Sequence, residues 1–268
     1  MTAAVRSELR KFFTTRMWWG MAIAMFLAGA GLAVAFGFLY TSDSFSDGAG
    51  QGAPTGTAEQ IANSVYTSGL SIGYLLTLTI GVMQIGSEYR HKTITSTFLG
   101  VPRRGRVMGA KVIALLGIGA VYGIISLVGS VIAGALILSA KGFEAFPTSG
   151  VFRTLALSLL VLGLWALIGL GAGILIPNQV AALLIAVGVA WIVEPLAGFG
   201  LSFWDFGRDH IVPYLPSAAT SSMVNGVTQG GPNAAQPLAW WGGALILAAY
   251  AAVLAGFGSL RTVRSDIS

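Results

Sequence analysis

Long apolar stretches separated by short polar intervals dominate the chain. Six of these stretches are long enough to cross about 30 Å of hydrocarbon as helices that rise about 1.5 Å per residue. The pattern therefore predicts six transmembrane spans joined by polar loops. The predicted spans cover about 17–39, 62–86, 108–139, 151–176, 179–200 and 238–260.

Features within the spans predict how the helices pack. The third stretch is the longest and is expected to tilt, to kink at its glycines or to extend into the cytoplasm. Small residues four apart at 119–123 and 169–173 predict close helix packing within the chain, although dimer seams use the same spacing. Trp165 and Trp191 are expected to lie inside the bundle.

Composition excludes a soluble fold. Hydrophobic residues make up 55% of the chain and charged residues 9%, whereas soluble domains carry about a quarter charged residues. The length of 268 residues suits a single transmembrane domain, 1–268. The sequence contains no cysteine, which excludes disulfides, thiolate metal sites and cysteine nucleophiles.

The formal charge of +5 is attributed to membrane orientation and not to nucleic-acid binding. With the amino terminus in the cytoplasm, 12 of the 15 basic residues fall on the cytoplasmic side. Only Lys141, Arg153 and Arg208 then lie outside. This asymmetry follows the positive-inside rule, and an even number of spans returns the carboxyl terminus to the cytoplasm.

The interval between spans two and three is the most informative polar segment. Residues 88–106 are more than a turn requires, and they combine a short amphipathic stretch with a basic cluster around Pro102. A loop whose arginines only contact anionic lipid headgroups would have the same features. The residues alone do not decide between such a lipid-contacting loop and a segment with a function of its own.

Together with the basic amphipathic segment 7–16 and the polar interval 41–60, this loop resembles the permeases of bacterial type-2 ABC transporters, which have the type V exporter fold. The resemblance covers nearly the whole chain. It implies an all-α membrane protein of six transmembrane helices, with an amino-terminal amphipathic interfacial helix, a cytoplasmic coupling helix and an extracellular re-entrant hairpin between spans five and six. One difference is Lys92, where the family often has glycine.

The resemblance assigns two groups of residues at the cytoplasmic side. Residues implied in coupling to the ATPase are Glu88, Tyr89, Arg90, Thr93, Arg103, Arg104 and Arg106, with Lys111 at the basic exit into span three. Residues of the implied membrane-surface helix are Arg10, Lys11 and Arg16.

The stretch 194–224 corresponds to the implied hairpin. It is too apolar for an ordinary loop, and prolines break it. Possible outer-gate residues are Glu194, Pro195, Pro213 and Pro216. Glu194 is expected about 22 Å into span five, where Arg208 or water could satisfy it, and a structural or gating role is favoured over proton coupling.

The sequence has no GxxxxGK[ST] phosphate loop, so ATP and Mg²⁺ are expected on a partner ATPase, and this chain is expected to bind no cofactor or metal. Ser71 lies in a G-x-S-x-G match, but that motif requires a strand-to-helix turn and a histidine base. Small-residue packing is expected there instead.

The expected function is the permease subunit of an ATP-driven exporter in the bacterial plasma membrane, and the chain is not expected to be an enzyme by itself. It would move an amphipathic or hydrophobic drug, lipid or peptide out of the cytoplasm. Expected partners are ABC ATPase subunits, a second permease copy and membrane lipids, with no nucleic acid. Alternatives are an ATP-independent secondary transporter or channel, or a non-transporting scaffold.

Overall fold

A computed structural model describes residues 2–42, 57–91, 104–225 and 236–264, with side chains for all of these except Arg104 and 258–264. The described residues are almost all helical and include no strand. Six of the described helical segments are long and apolar enough to cross a membrane. The predicted fold class, an all-α membrane protein with six spans, is confirmed.

The helices follow one another along the chain with short connections. In order they are α1 (Thr2–Phe13), α2 (Met17–Thr41), α3 (Ala58–Thr67), α4 (Leu70–Arg90), α5 (Arg104–Ala140), α6 (Gly150–Leu175), α7 (Gln179–Gly188), a π-helical turn (Val189–Val193), α8 (Glu194–Ser202), α9 (Asp205–His210), a 3₁₀ turn (Val212–Tyr214), α10 (Pro216–Val224) and α11 (Trp240–Arg264). Spans one, three, four and six are α2, α5, α6 and α11. Span two consists of α3 and α4, and span five runs from α7 through the π turn to α8.

Local chemistry explains where several helices begin. Thr57 caps α3 through a capping box with Gln60, so span two begins earlier than the predicted residue 62. The Asn178 side chain accepts hydrogen bonds from the backbone of Val180 and Ala181 and caps α7. Span three begins at Arg104, four residues before its predicted start, and its helix has no break.

Spans two and four form the centre of the bundle. In their most apolar windows, 61% of span two and 67% of span four are buried, against 22% of spans one and five. Trp165 of span four is 1% exposed, as expected. Trp191 of span five is 64% exposed, so its predicted interior position is wrong, because it lies on the outward side of a peripheral span.

Glycines bring the central helices into backbone contact. A Cβ atom added at Gly81 would collide with the carbonyl oxygen of Ala166, and one at Gly169 with that of Leu78. Added Cβ atoms at Gly119 and Gly171 would likewise meet Gly163 and Leu254 of neighbouring spans. The expectation that the small-residue stretches pack within the chain is therefore confirmed.

Candidate functional site

The amino-terminal helix α1 lies against the end of spans two and three that borders residues 92–103. Glu8 and Phe12, four residues apart, form its buried face. The Phe12 ring packs edge-on against Tyr122 of α5, with centroids 5.9 Å apart, and the Tyr122 hydroxyl donates to the carbonyl of Trp18. Helix α1 is thus packed onto the bundle along one side.

Four charged side chains meet where α1, α4 and α5 converge, and we call Glu8, Lys11, Glu88 and Lys111 the charge cluster. The Lys111 ammonium lies 2.7 Å from Glu8 Oε2 and 2.7 Å from Glu88 Oε1. Lys11 Nζ lies 2.8 Å from Glu8 Oε1 and 2.8 Å from Glu88 Oε1. Gln84 Nε2 donates to Glu8 Oε2 at 3.3 Å.

The charge cluster is buried and balanced. The side chains of Lys111, Glu8 and Glu88 are 1%, 5% and 6% exposed, while Lys11 is 43% exposed at its edge. Two carboxylates face two ammonium groups, so the cluster carries no formal net charge. Burying charges is costly unless each is paired, and this arrangement pairs all four.

The environment stabilises the charged forms of the two α1 residues. Burial alone would raise the pKa of Glu8, but Lys111 and Lys11 together outweigh it and lower that pKa below its ordinary value of 4.5. Burial would lower the pKa of Lys11, yet hydrogen bonds from its ammonium to Glu8 and Glu88 raise it above 10.5. Both groups therefore stay ionised near neutral pH.

A cavity of about 210 Å³ lies beside the charge cluster. Its wall combines apolar side chains, including Phe12 and Met83, with Lys11, Gln84 and Glu88. Glu88 Oε2 is buried and has no hydrogen-bond partner among the described residues. The cavity and the spare carboxylate oxygen leave room at the cluster for a small polar molecule such as water.

The predicted coupling residues fall into two environments. Glu88 is buried in the charge cluster and Tyr89 is half-buried, whereas Arg90 and Arg106 are exposed on either side of residues 92–103. Thr93 and Arg103 lie outside the described residues, as does the side chain of Arg104.

Of the predicted surface residues Arg10, Lys11 and Arg16, only Lys11 belongs to the cluster, and the other two are exposed.

The sequence reasoning missed the roles of Glu8 and Gln84 and the burial of Lys111. A usable signal exists: Glu8 lies on the apolar face of an amphipathic helix, and Lys111 lies one turn into an apolar span. Charges of opposite sign on apolar faces at the same membrane surface are candidates for pairing.

At the opposite end of the bundle, the chain folds back beside span five. Glu194 is 7% exposed, and its Oε1 accepts a hydrogen bond from the backbone nitrogen of Ser217 at 2.5 Å. The possibility that Arg208 satisfies Glu194 is wrong, because Arg208 pairs with Asp205 and Asp209. Among the predicted gate prolines, Pro195 is exposed, Pro213 is buried and Pro216 begins α10.

Helix α10 is fixed to the central spans by side-chain hydrogen bonds. Trp165 of span four donates its Nε1–H to the Thr220 hydroxyl at 2.9 Å, and Tyr74 of span two stacks on Trp165 at 4.5 Å. Asn63 of span two donates to the carbonyl of Asn225, which ends α10 in a left-handed conformation with φ of 45°. These contacts hold α10 deep beside spans two and four.

The serine of the G-x-S-x-G match takes no part in either region. Ser71 lies in the first turn of α4 and donates to the carbonyl of Ser68. His91 lies beyond the opposite end of the same helix. An added Cβ at Gly69 would contact Gly29 of span one, so small-residue packing explains this stretch.

Residues 4–193 match the family model described as "ABC-2 family transporter protein". The match includes every member of the charge cluster and ends directly before Glu194. A comparison with curated proteins gives no match.

Proposed function

The chain belongs to the ABC-2 transporter family, and from that membership we propose that it is the permease subunit of an ATP-driven exporter. The family implies a multi-pass permease that works with a separate ABC ATPase. The proposal adds that two permease copies pair with two ATPase subunits in the bacterial plasma membrane. The complex moves an amphipathic or hydrophobic drug, lipid or peptide out of the cytoplasm.

The distribution of basic residues supports the proposed orientation, with both termini in the cytoplasm. Twelve of the fifteen lysines and arginines fall on one side of the six spans. The charge cluster and the exposed Arg90 and Arg106 then face the cytoplasm, where an ATPase can reach these two arginines. Helix α10 then faces the outside.

The charge cluster is the observation that carries the proposed coupling mechanism. It ties α1 to Glu88, four residues before the segment 92–103, and to Lys111, eight residues after it. A push on this segment would therefore move α1, span two and span three together. In this mechanism the exposed Arg90 and Arg106 contact the ATPase, and the buried charges transmit the displacement.

The proposal assigns the outward surfaces of spans one and five to contact with a second copy. Both spans are poorly buried within one chain and expose large apolar side chains, among them Phe26, Leu27 and Leu184. The centre of the single chain is closed by glycine contacts between spans two and four. We therefore propose that the substrate route runs between the two copies.

The decisive experiment reconstitutes the tagged permease with its ATPase in liposomes and measures ATP hydrolysis and substrate movement together. Co-purification of the ATPase in stoichiometric amount is expected, as is transport that requires ATP. Replacing Arg90 and Arg106 by alanine should uncouple hydrolysis from transport, whereas Arg6→Ala on the exposed side of α1 should not.

Other outcomes support the alternative functions. Substrate movement at the full rate without ATPase would identify a secondary transporter or channel. A stable complex with an active ATPase that moves no candidate substrate would point to a scaffold. Full coupling in both Glu88→Ala and Arg90→Ala variants would refute the coupling mechanism.

A further inference from the structure

We propose that Glu194 is a positioning residue that holds helix α10 against span five through a releasable contact. We call this contact, between the Glu194 carboxylate and the Ser217 N–H, the latch. Its role in transport rests on the proposed exporter function. The positioning role does not, because it follows from the geometry of one chain.

Helix α10 depends on Glu194 for its first free backbone donor. Its N-cap residue is Leu215, whose side chain cannot accept a hydrogen bond, and Pro216 at the first helical position has no N–H. Ser217 therefore provides the first unsatisfied donor of the helix. Glu194, 23 residues earlier in the chain, supplies the missing acceptor at 2.5 Å.

The latch also compensates a buried charge. Among the described residues, no cation forms a salt bridge with Glu194, since Arg208 pairs with two aspartates of its own helix. The amino-terminal end of a helix carries the equivalent of about half a positive charge. The start of α10 thus stabilises the Glu194 carboxylate, and the carboxylate stabilises the helix.

The backbone on both sides of Glu194 departs from regular α-helical hydrogen bonding. The π turn Val189–Val193 ends with the Glu194 N–H bonded to the Val189 carbonyl, a wider ring than an α-helical turn has. Pro195 follows directly and removes the next backbone donor. The helical ladder is therefore weakest just before and just after the latch residue.

The two sides of the latch differ in how firmly they are held. Helix α10 is bonded to Trp165 and Asn63 of the central spans, whereas span five is peripheral and only 22% buried. Because α7, the first helix of span five, packs on spans two and four, breaking the latch would free only the end of span five near Glu194 and leave α10 attached to the centre. This asymmetry predicts that the Glu194 end of span five moves away from α10 when the outer end opens.

Cysteine cross-linking tests the positioning role in the purified permease. An added Cβ at Gly198 would lie 3.3 Å from a methyl group of Leu215, so the pair Gly198→Cys and Leu215→Cys reports whether α8 and the start of α10 stay together. The chain contains no other cysteine. Disulfide formation should slow at least about tenfold when Glu194→Ala is added, and much less with Glu194→Gln, which keeps an acceptor.

An unchanged cross-linking rate in the Glu194→Ala background overturns the positioning role. Circular dichroism and size-exclusion profiles identify variants that fail to fold, and the Glu194→Gln variant then provides the comparison. Each single-cysteine protein serves as a control for oxidation itself.

Release is tested in the reconstituted complex with its ATPase. Oxidising the cysteine pair should reduce ATP-dependent transport at least about tenfold, and a reductant should restore it. Full transport by the cross-linked protein overturns release. If the wild-type complex moves no substrate with ATP, the exporter function fails, and the cross-linking rates still decide whether Glu194 positions α10.

Discussion

The two ends of the bundle neutralise buried carboxylates in different ways. At one end, Glu8 and Glu88 are paired with two lysine side chains, and the four residues come from three helices. At the other, Glu194 is paired with the backbone of a short helix. Removing one member of a buried ion pair leaves an uncompensated charge and costs more than losing a helix cap, so we expect the contact at Glu194 to be the easier of the two to break.

The family match covers the two contacts differently. It covers residues 4–193, and with them the whole charge cluster, and it stops before Glu194 and α10. All four residues of the charge cluster thus lie in the part of the chain that has the family pattern. Glu194 and the helix that it contacts lie beyond the matched residues.

The largest expected effect comes from removing Lys111. The variant Lys111→Met would leave two buried carboxylates opposite one half-exposed lysine, and breaking a buried pair costs about 3–5 kcal/mol. We expect a loss of this size in the free energy of unfolding in detergent. Lys141→Met, a replacement of an exposed lysine, is the matched control. Equal unfolding free energies of the two variants would show that the charge cluster contributes little to the stability of the fold.

A double variant tests whether charge balance is the cause. Combining Glu8→Gln with Lys111→Met removes one charge of each sign. The double variant should therefore lose less unfolding free energy than the sum of the losses in the two single variants. Coupling energies in such networks are about 0.5–3 kcal/mol. Additive losses in unfolding experiments would mean that packing, and not charge pairing, explains the Lys111 effect.

The contributions of Glu8 and Lys11 to stability should be insensitive to pH near neutrality. Because the pKa of Glu8 is lowered, its carboxylate stabilises the fold at pH values above the ordinary pKa of 4.5. That contribution is lost as the pH falls through the lowered pKa. Because the pKa of Lys11 is raised, its ammonium group stabilises the fold at pH values below 10.5. This contribution is lost only as the pH rises through the raised pKa. The stability difference between wild type and Glu8→Gln should stay constant between about pH 6 and pH 8 and shrink below 4.5. A slope within the neutral range would contradict the assigned pairing.

The spans could be predicted because each carries its own apolar signal, but their positions in the bundle could not. Span two has a mean hydropathy of 1.5 and is central, whereas span five has 2.2 and is peripheral. Trp191 was misplaced for this reason. In a membrane protein, apolar residues face lipid as readily as the core, so hydropathy does not separate inside from outside.

The sites were predictable to different degrees. Glu88 and Lys111 were assigned to one cytoplasmic region by resemblance, but Glu8 is 103 residues from Lys111, and their contact depends on how α1 packs. Glu194 was recognised as an acidic residue inside a span. Its partner could not be read from the sequence, because every residue except proline carries the backbone N–H that Ser217 provides.

The smallest expected effect comes from Glu194, and it most directly tests the contrast between the two ends. Glu194→Ala removes a helix cap, which costs about 0.5–2 kcal/mol, and Glu194→Gln should cost less because an amide oxygen can still accept from Ser217. Unfolding measurements should therefore show a larger loss of stability for Glu194→Ala than for Glu194→Gln, and almost none for Asp209→Ala, an exposed acidic control. A loss in Glu194→Ala as large as that in Lys111→Met would mean that the outer contact is a permanent brace like the inner one. A small loss together with a clear defect in transport fits a contact that has to break in every cycle.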